Sequence, residues 1–314
     1  MTPVATAISK TANPGKVVCV GQLYCDLIFG GMEKMPRLGE EVFADSLAVH
    51  AGGGAYITGA YLAALGRKVS LVAAIPAEPF GSLVMAEINA KGIDTTHCTP
   101  SKPGADPQIT VAMAHGGDRA FLTRQSGAVL ENDDLGWLND PELTHLHIGE
   151  LTTLISHPDL IAKARDTGLT ISVDCSWAEE SFSHPDVLAL LQQIDVFLPN
   201  EAEIARLQQA NSQTAFATLT VKKRGKRGAE AQCQGETISS SAHLVDVVDT
   251  TGAGDAFNAG FLNAWLNGDK TMSCLAAGNT MGAIAVSRLG GATDVGPETV
   301  RAFDPMRAVT AEAL

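Results

Sequence analysis

The chain is short of paired cysteines, of cations and of long apolar runs, and each shortage closes a class of function. Its six cysteines, Cys19, Cys25, Cys98, Cys175, Cys233 and Cys274, lie far apart. Without a CxxC pair they suggest neither a zinc knuckle nor a disulfide framework, and they read as reduced, mostly buried thiols. Lysine and arginine total 22 against 35 acidic residues, a formal net charge of -13. A chain this acidic lacks the basic surface that nucleic acid requires. An anionic ligand must then be met locally, by backbone N–H groups or a small cluster of bases, because the overall field repels it. No uncharged run approaches the length of a membrane span. The first fifteen residues, polar and broken by Pro3 and Pro14, lack the apolar core of a signal peptide. The expectation is a cytoplasmic enzyme with a small-molecule substrate, no nucleic acid and no membrane.

What the chain does have is apolar bulk, 45% of 314 residues, enough for a single α/β domain over 1–314. Lys16 to Gly21 reads as a buried strand, and similar runs follow at Lys68 to Ile75, Thr144 to Ile148, Leu169 to Asp174, Asp195 to Leu198 and Ala217 to Lys222. Helical patterns such as Ala55 to Leu65 and Glu201 to Gln209 separate them. This alternation predicts a doubly wound, mostly parallel sheet flanked by helices. Two stretches, near 23–50 and 108–125, break the rhythm and look like antiparallel hairpins, the second turning at Gly116-Gly117-Asp118. A small β-sheet lid over a site at the strand ends is the expected outcome.

The most informative segment is Asp249-Thr-Thr-Gly-Ala-Gly-Asp-Ala-Phe-Asn-Ala-Gly260, between strand-like Leu244 to Val248 and the helical run Ala256 to Leu266. Gly252, Ala253 and Gly254 form a glycine-rich turn at a helix start, where free N–H groups bind an anion without any lysine. Asp255 would repel a phosphate there unless it faces an incoming nucleophile, which is the geometry of a general base. The alternative is a plain helix cap. The turn is neither a Walker A loop nor a GxGxxG dinucleotide loop, which weakens an NAD-dependent dehydrogenase.

DTTGAGDAFNAGF closely resembles the C-terminal signature of the ribokinase, or PfkB, family of carbohydrate kinases. The resemblance runs over roughly residues 16 to 300. It implies a ribokinase-like fold, ATP and Mg²⁺ as cofactors, Asp255 as catalytic base and Gly252 to Gly254 as an anion hole. Asn200-Glu-Ala-Glu203 resembles the family's NxxE motif, implying that Asn200 and Glu203 organise Mg²⁺ and the phosphates, largely through water. Asn and Glu three apart share a helix face, and oxygen ligands suit Mg²⁺, although the same pattern also caps helices. By the same resemblance Lys223, Gly225 and Gly228 lie along the nucleotide and Asn279 near the adenine. Asp249 and Thr251, with the Ser287 to Gly291 loop, are placed to hold a monovalent cation such as K⁺.

On the acceptor side, Gly52-Gly53-Gly54 ahead of a helix ending in Leu65-Gly66 resembles the family's N-terminal signature. The resemblance assigns sugar contacts to Asp26, Gly52, Gly53 and Glu150, and an acceptor-only carboxylate such as Asp26 suits a pair of hydroxyls. Two positions depart from the family. Ile57 stands where the signature carries Asn, and Cys175-Ser176-Trp177 where relatives read Pro-Asn. The departures put simple ribose in doubt. His145 and His147 alternate on one strand face, but no third metal ligand accompanies them. The reading is therefore an ATP-dependent kinase for a hydroxyl, a primary alcohol by preference, of a small sugar. A nucleoside kinase of the same family and a non-catalytic sugar or nucleotide sensor are the alternatives, the last opposed by the intact GAGD and NxxE motifs. Family lids often pair between subunits, implying a homodimer.

Overall fold

Strand β1 (Lys16–Val20) decides the layering. Val18 and Val20 join one apolar cluster while Val17 and Cys19 join another, so successive side chains enter cores on opposite faces. A strand buried on both sides must be central and covered by helices. The computed structural model describes residues 15–303, apart from 103, 116–117, 131–133, 212–215, 289 and 293–295. The N-terminal tail and the Gly116-Gly117 part of the expected turn lie outside the described residues.

After β1 the chain forms β2 (Tyr24–Gly30), β3 (Ser46–Gly52), α1 (Gly54–Ala64), β4 (Val69–Val72), β5 (Ala74–Ile75), α2 (Phe80–Ala90) and β6 (Thr99–Pro100). There follow β7 (Ile109–His115), β8 (Asp118–Arg124), β9 (Leu143–Ile148), α3 (Leu151–Ser156), α4 (Asp159–Asp166), β10 (Thr170–Asp174), α5 (Glu179–Phe182) and α6 (Val187–Leu191). The remainder is β11 (Val196–Leu198), α7 (Glu201–Ala210), β12 (Leu219–Lys223), β13 (Ala229–Cys233), β14 (Glu236–Ser240), α8 (Ala253–Leu266), α9 (Thr271–Val286) and α10 (Pro297–Ala302).

The main sheet has eight strands in the order β14-β13-β12-β11-β10-β9-β1-β4, with β4 through β12 parallel and β13 and β14 antiparallel at one edge. The chain runs outward from β1 to β4 and later returns to β9 on its other side. A crevice opens where that direction reverses, outside the carboxyl ends of the strands. Gly21, Glu150, Asp174, Asn200 and Lys223 all stand at those ends.

The lid is a four-stranded sheet, β3-β2-β7-β8, in which β2 pairs antiparallel with β3 and parallel with β7. One row across it is His50–Asp26–Thr110–Thr123. The neighbouring rows belong to the opposite face and carry Val49–Leu27–Val111–Leu122 and Leu47–Phe29–Met113. Leu47 and Leu122 are 55% and 68% exposed.

Two expectations need correcting. Lys68 to Ile75 is not one strand: β4 joins the main sheet, whereas β5 pairs with β6. Leu244 to Val248 forms no strand, because no neighbouring strand lies beside it. The amides of Val248 and Asp249 instead donate to the Val286 carbonyl at the end of α9, and Leu244 and Val247 stay exposed. The histidines belong to the core: His145 bonds the Thr170 and Ser172 hydroxyls, and His147 bonds Ser172.

Arg67 sets the far end of α8. Its Nε donates to Asn263 Oδ1 at 2.7 Å, and its Nη2 to the Asn263 carbonyl at 2.8 Å and Asn267 Oδ1 at 2.6 Å. A cation here meets the negative end of the helix and shares the Asn263 carbonyl with the Asn267 amide. Arg67→Met should lower the free energy of unfolding by about 2 kcal/mol. Urea unfolding would read this as an earlier midpoint at unchanged slope; an unmoved midpoint would show that the clamp adds no stability.

Candidate active site

Gly252 is the N-cap of α8 at φ 69°, and a Cβ there would lie 2.5 Å from the Gly291 carbonyl oxygen, so only glycine fits. The helix starts at Ala253, three residues before the expected Ala256. Asp255 thus sits inside the first turn, and the cap position belongs to Gly252, without a side-chain cap. Of the first-turn N–H groups, that of Ala253 donates to the Thr250 carbonyl at 3.3 Å, and the positive helix end points out of the same turn. Asp255 Oδ1 lies 3.1 Å from where a Cβ on Gly54 would stand, so its carboxylate faces the glycine turn at the start of α1. Thr58, in α1, donates to the Asp255 carbonyl at 3.4 Å. Desolvation and then Asp174 push the Asp255 carboxyl well above the ordinary range, with the Lys223 ammonium opposing.

The glycine turn ahead of α1 is built on a close approach. The Asp26 carboxylate occupies the space a Cβ on Gly52 would need, and Gly53, at φ 109°, leaves the same room for the Gln22 carbonyl. Desolvation raises Asp26 to about 7, opposed by its hydrogen bond with Thr110 and by His50. Glu150 accepts from the Gln22 amide at 2.9 Å and from the Thr153 hydroxyl, and burial raises it to about 7. Ile57 is buried and packs toward Gly291 beside Thr251. Trp177 is exposed and meets Phe182 edge-on at 5.3 Å, so it is not core packing.

At the start of α7 Asn200 and Glu203 form a capping box: the Glu203 amide donates to Asn200 Oδ1 at 3.0 Å and the Asn200 amide to Glu203 Oε2 at 2.7 Å. Burial and the charge of Asp174 raise Glu203 to about 7. Lys223 donates to Asp174 Oδ1 at 2.9 Å and to Asn258 Oδ1 at 3.1 Å. Beyond it opens a cavity of about 460 Å³ lined by Gly225, Gly228, Val247, Gly254, Phe257 and Asn279. The Asn279 amide group donates to the Ser240 and Ser241 carbonyls, shaping the cavity wall. Asp249 Oδ1 accepts from the Thr251 amide and hydroxyl, and its Oδ2 from the Gly290 amide at 2.9 Å, joining the two loops beside the turn.

Sequence reasoning missed the residues that brace this cleft. Glu87, from α2, accepts from the Ala51 amide at 3.1 Å and the Tyr56 hydroxyl at 2.9 Å, and meets His50 Nδ1 at 3.3 Å. Nothing near Glu87 in the sequence signals this, because its partners are more than thirty residues away. Asn258 is the other omission, although it stands inside the recognised motif.

The model of the pfkB family of carbohydrate kinases matches residues 15–297. The chain belongs to that family. This PfkB family kinase is 25% identical to the ATP-dependent ribose-1-phosphate kinase of Halopiger xanaduensis, over 92% of this chain and 97% of that one. Arabidopsis thaliana ribokinase, solved with ribose and ATP, superposes with a TM-score of 0.74 at 23% identity, covering 93% of this chain and 99% of that one. A putative ribokinase II from E. coli, solved with ATP and Mg²⁺, gives 0.74 at 19% identity, covering 90% and 96%. The chain is therefore an ATP-dependent sugar kinase with a ribokinase fold. Among the described residues no helix is long and apolar enough to cross a membrane.

Asp26 links this site to stability. Its folded pKa of about 7 stands above the unfolded value, so the folded chain holds the extra proton between about pH 4 and that value. Stability falls as pH rises through this window. Without ligands, Asp26→Asn should melt above wild type at pH 8, with the gap shrinking as the pH is lowered to 5. A gap independent of pH would show that Asp26 ionises as freely folded as unfolded.

Proposed function

We propose that this kinase phosphorylates a hydroxyl, by preference a primary alcohol, of a small sugar, with Asp255 as general base. The observation that carries the reading is the Asp255 carboxylate facing the Gly52–Gly54 turn from the first turn of α8. The acceptor lies between Asp26 and the Gly52-Gly53 amides, with Glu150 alongside and the lid above. Asp255 takes the hydroxyl proton as that oxygen forms its bond to the γ-phosphorus. The bond from phosphorus to the bridging oxygen breaks, and ADP leaves. The amides of Gly252, Ala253 and Gly254 receive the charge that develops on the transferring group. Burial and the charge of Asp174 raise the proton affinity of Asp255, so it accepts a proton more readily than an ordinary carboxylate.

ATP runs along the cavity past Gly225 and Gly228 toward Asn279, with the Lys223 ammonium turned inward to Asp174 and Asn258. Among the described residues no group of three metal-ligating side chains forms a closed cage. The buried carboxyl groups of Asp174, Glu203 and Asp255 nevertheless lie close enough that Asp174 raises the proton affinity of the other two, and such an oxygen-rich site suits Mg²⁺ held through waters and phosphates. Asn200 and Glu203 would orient those waters, and the ion would neutralise phosphate charge. Asp249, Thr251 and the 287–291 loop would hold a K⁺ ion beside the anion hole, a role supported by the way Asp249 ties these loops together.

The test is ADP release from MgATP against pentoses, hexoses, keto-deoxy sugar acids and nucleosides. Asp255→Asn should lose about 10²–10⁴-fold in turnover with the best acceptor while still binding ATP. Full activity in that variant would return Asp255 to a structural role. A nucleoside as best acceptor would keep the chemistry and move the substrate class.

The apolar outer face of the lid, Leu27, Phe29, Leu47, Val49, Val111, Met113 and Leu122, supports a homodimer formed lid to lid. Sedimentation should give a dimer for wild type and a monomer for Leu47→Glu. A monomeric wild type would remove the dimer from the reading.

A further inference from the structure

The Lys223 ammonium is committed inside the protein. Its side chain is 13% exposed, and it donates to Asp174 Oδ1 at 2.9 Å, Asp174 Oδ2 at 3.1 Å and Asn258 Oδ1 at 3.1 Å. The ring of contacts closes on itself, since Asn258 Nδ2 donates to Asp174 Oδ2 at 2.7 Å. Asp174 Oδ1 also accepts from the Cys175 amide at 2.7 Å. Three elements meet in this ring: β12 through Lys223, β10 through Asp174 and α8 through Asn258.

The place on α8 gives the ring its meaning. Asn258 lies one helical turn after Gly254 and Asp255, so it shares their face of the helix. Nζ of Lys223 is itself 3.4 Å from where a Cβ on Gly254 would stand. The main chain of Lys223 is tied as well, its amide donating to the Pro199 carbonyl at 2.8 Å while the residue bridges to Asn200. One residue thus joins the GAGD turn and the end of β10 through its side chain and the NxxE motif through its main chain.

A buried ion pair of this kind is a poor way to gain stability alone, because a well-packed apolar trio often does as well. What the ring supplies is direction. Turning α8 about its axis would carry Asp255 away from Gly54, and a displacement near 1 Å is enough to cost about 100-fold in rate. The charges that act on Lys223, those of Asp174, Glu203 and Asp255, are acidic. The ammonium is the cation that lets them share one small volume.

We propose that Lys223 is a positioning residue for phosphoryl transfer: it clamps Asp174 and Asn258 and thereby fixes the rotation of α8 that presents Gly254 and Asp255. This rests on Asp255 being the base, which Asp255→Asn tests separately. The experiment compares Lys223→Met, Lys223→Arg and Arg67→Met with the best acceptor of the panel, or with water as acceptor if none turns over. Lys223→Met should lose about 100-fold in kcat with KM for ATP and acceptor within about threefold of wild type. Lys223→Arg should regain part of the loss, and Arg67→Met, destabilised at the other end of α8, should keep wild-type kcat wherever it is folded. A raised KM for ATP at unchanged kcat would make Lys223 an ATP contact and overturn the proposal. Equal losses in Lys223→Met and Arg67→Met would reduce it to general stability. If Lys223→Met does not fold, Asn258→Ser, which keeps both charges, reads the same clamp, and an unchanged kcat in it would sink the idea.

Discussion

Asp26, Glu150, Asp174, Glu203 and Asp255 crowd the carboxyl ends of the parallel strands, and taking so many like charges out of water is the constraint that the site answers. Burial expresses it directly by raising Asp26, Glu150 and Glu203 each to about 7 and Asp255 well above the ordinary carboxylate range. Each acid is met by a different device. Asp174 has Lys223 and Asn258, Glu150 the Gln22 amide, Glu203 the Asn200 amide, and Asp26 lies against a glycine. Asp255, the one facing the cleft, has no direct ion pair in this scheme. Its charge is left available for a proton.

That distribution explains the mix of stiffness around the cleft. The helix that carries Asp255 is held near its start by Asn258 and at its end by Arg67, so its glycine-rich first turn rides on a helix fixed at two points. The lid is organised differently. Its inner polar row begins at His50, which Glu87 braces from α2, while its outer rows are apolar and uncovered. A two-faced sheet of this kind separates recognition of a small molecule from contact with something large.

Much of this was legible from the sequence where chemistry is written in consecutive residues. The GAGD turn, the NxxE box and the triple glycine are local patterns, and each lies at the helix start that its composition implied. The alternating strand pattern likewise gave the parallel sheet, because fully buried strands are continuous apolar runs. Other features were opaque for physical reasons. Leu244 to Val248 looks like a strand by side-chain type, yet strand formation needs a neighbour, which no local pattern reveals. The start of α8 at Ala253 was hidden because glycines at 252 and 254 read as a loop. Glu87, Asn258 and the true partners of Lys223 were invisible because their contacts join distant parts of the chain.

The lid has a further consequence in the order of assembly. Its central pairing is β2 with β7, joining Cys25 to Ile109 in parallel register across a long stretch that includes α1, β4 and α2. Closing so long a loop is entropically unfavourable until the intervening elements have condensed. The elements between them therefore have to condense before β2 and β7 pair, and the lid sheet is completed late in the making of each molecule.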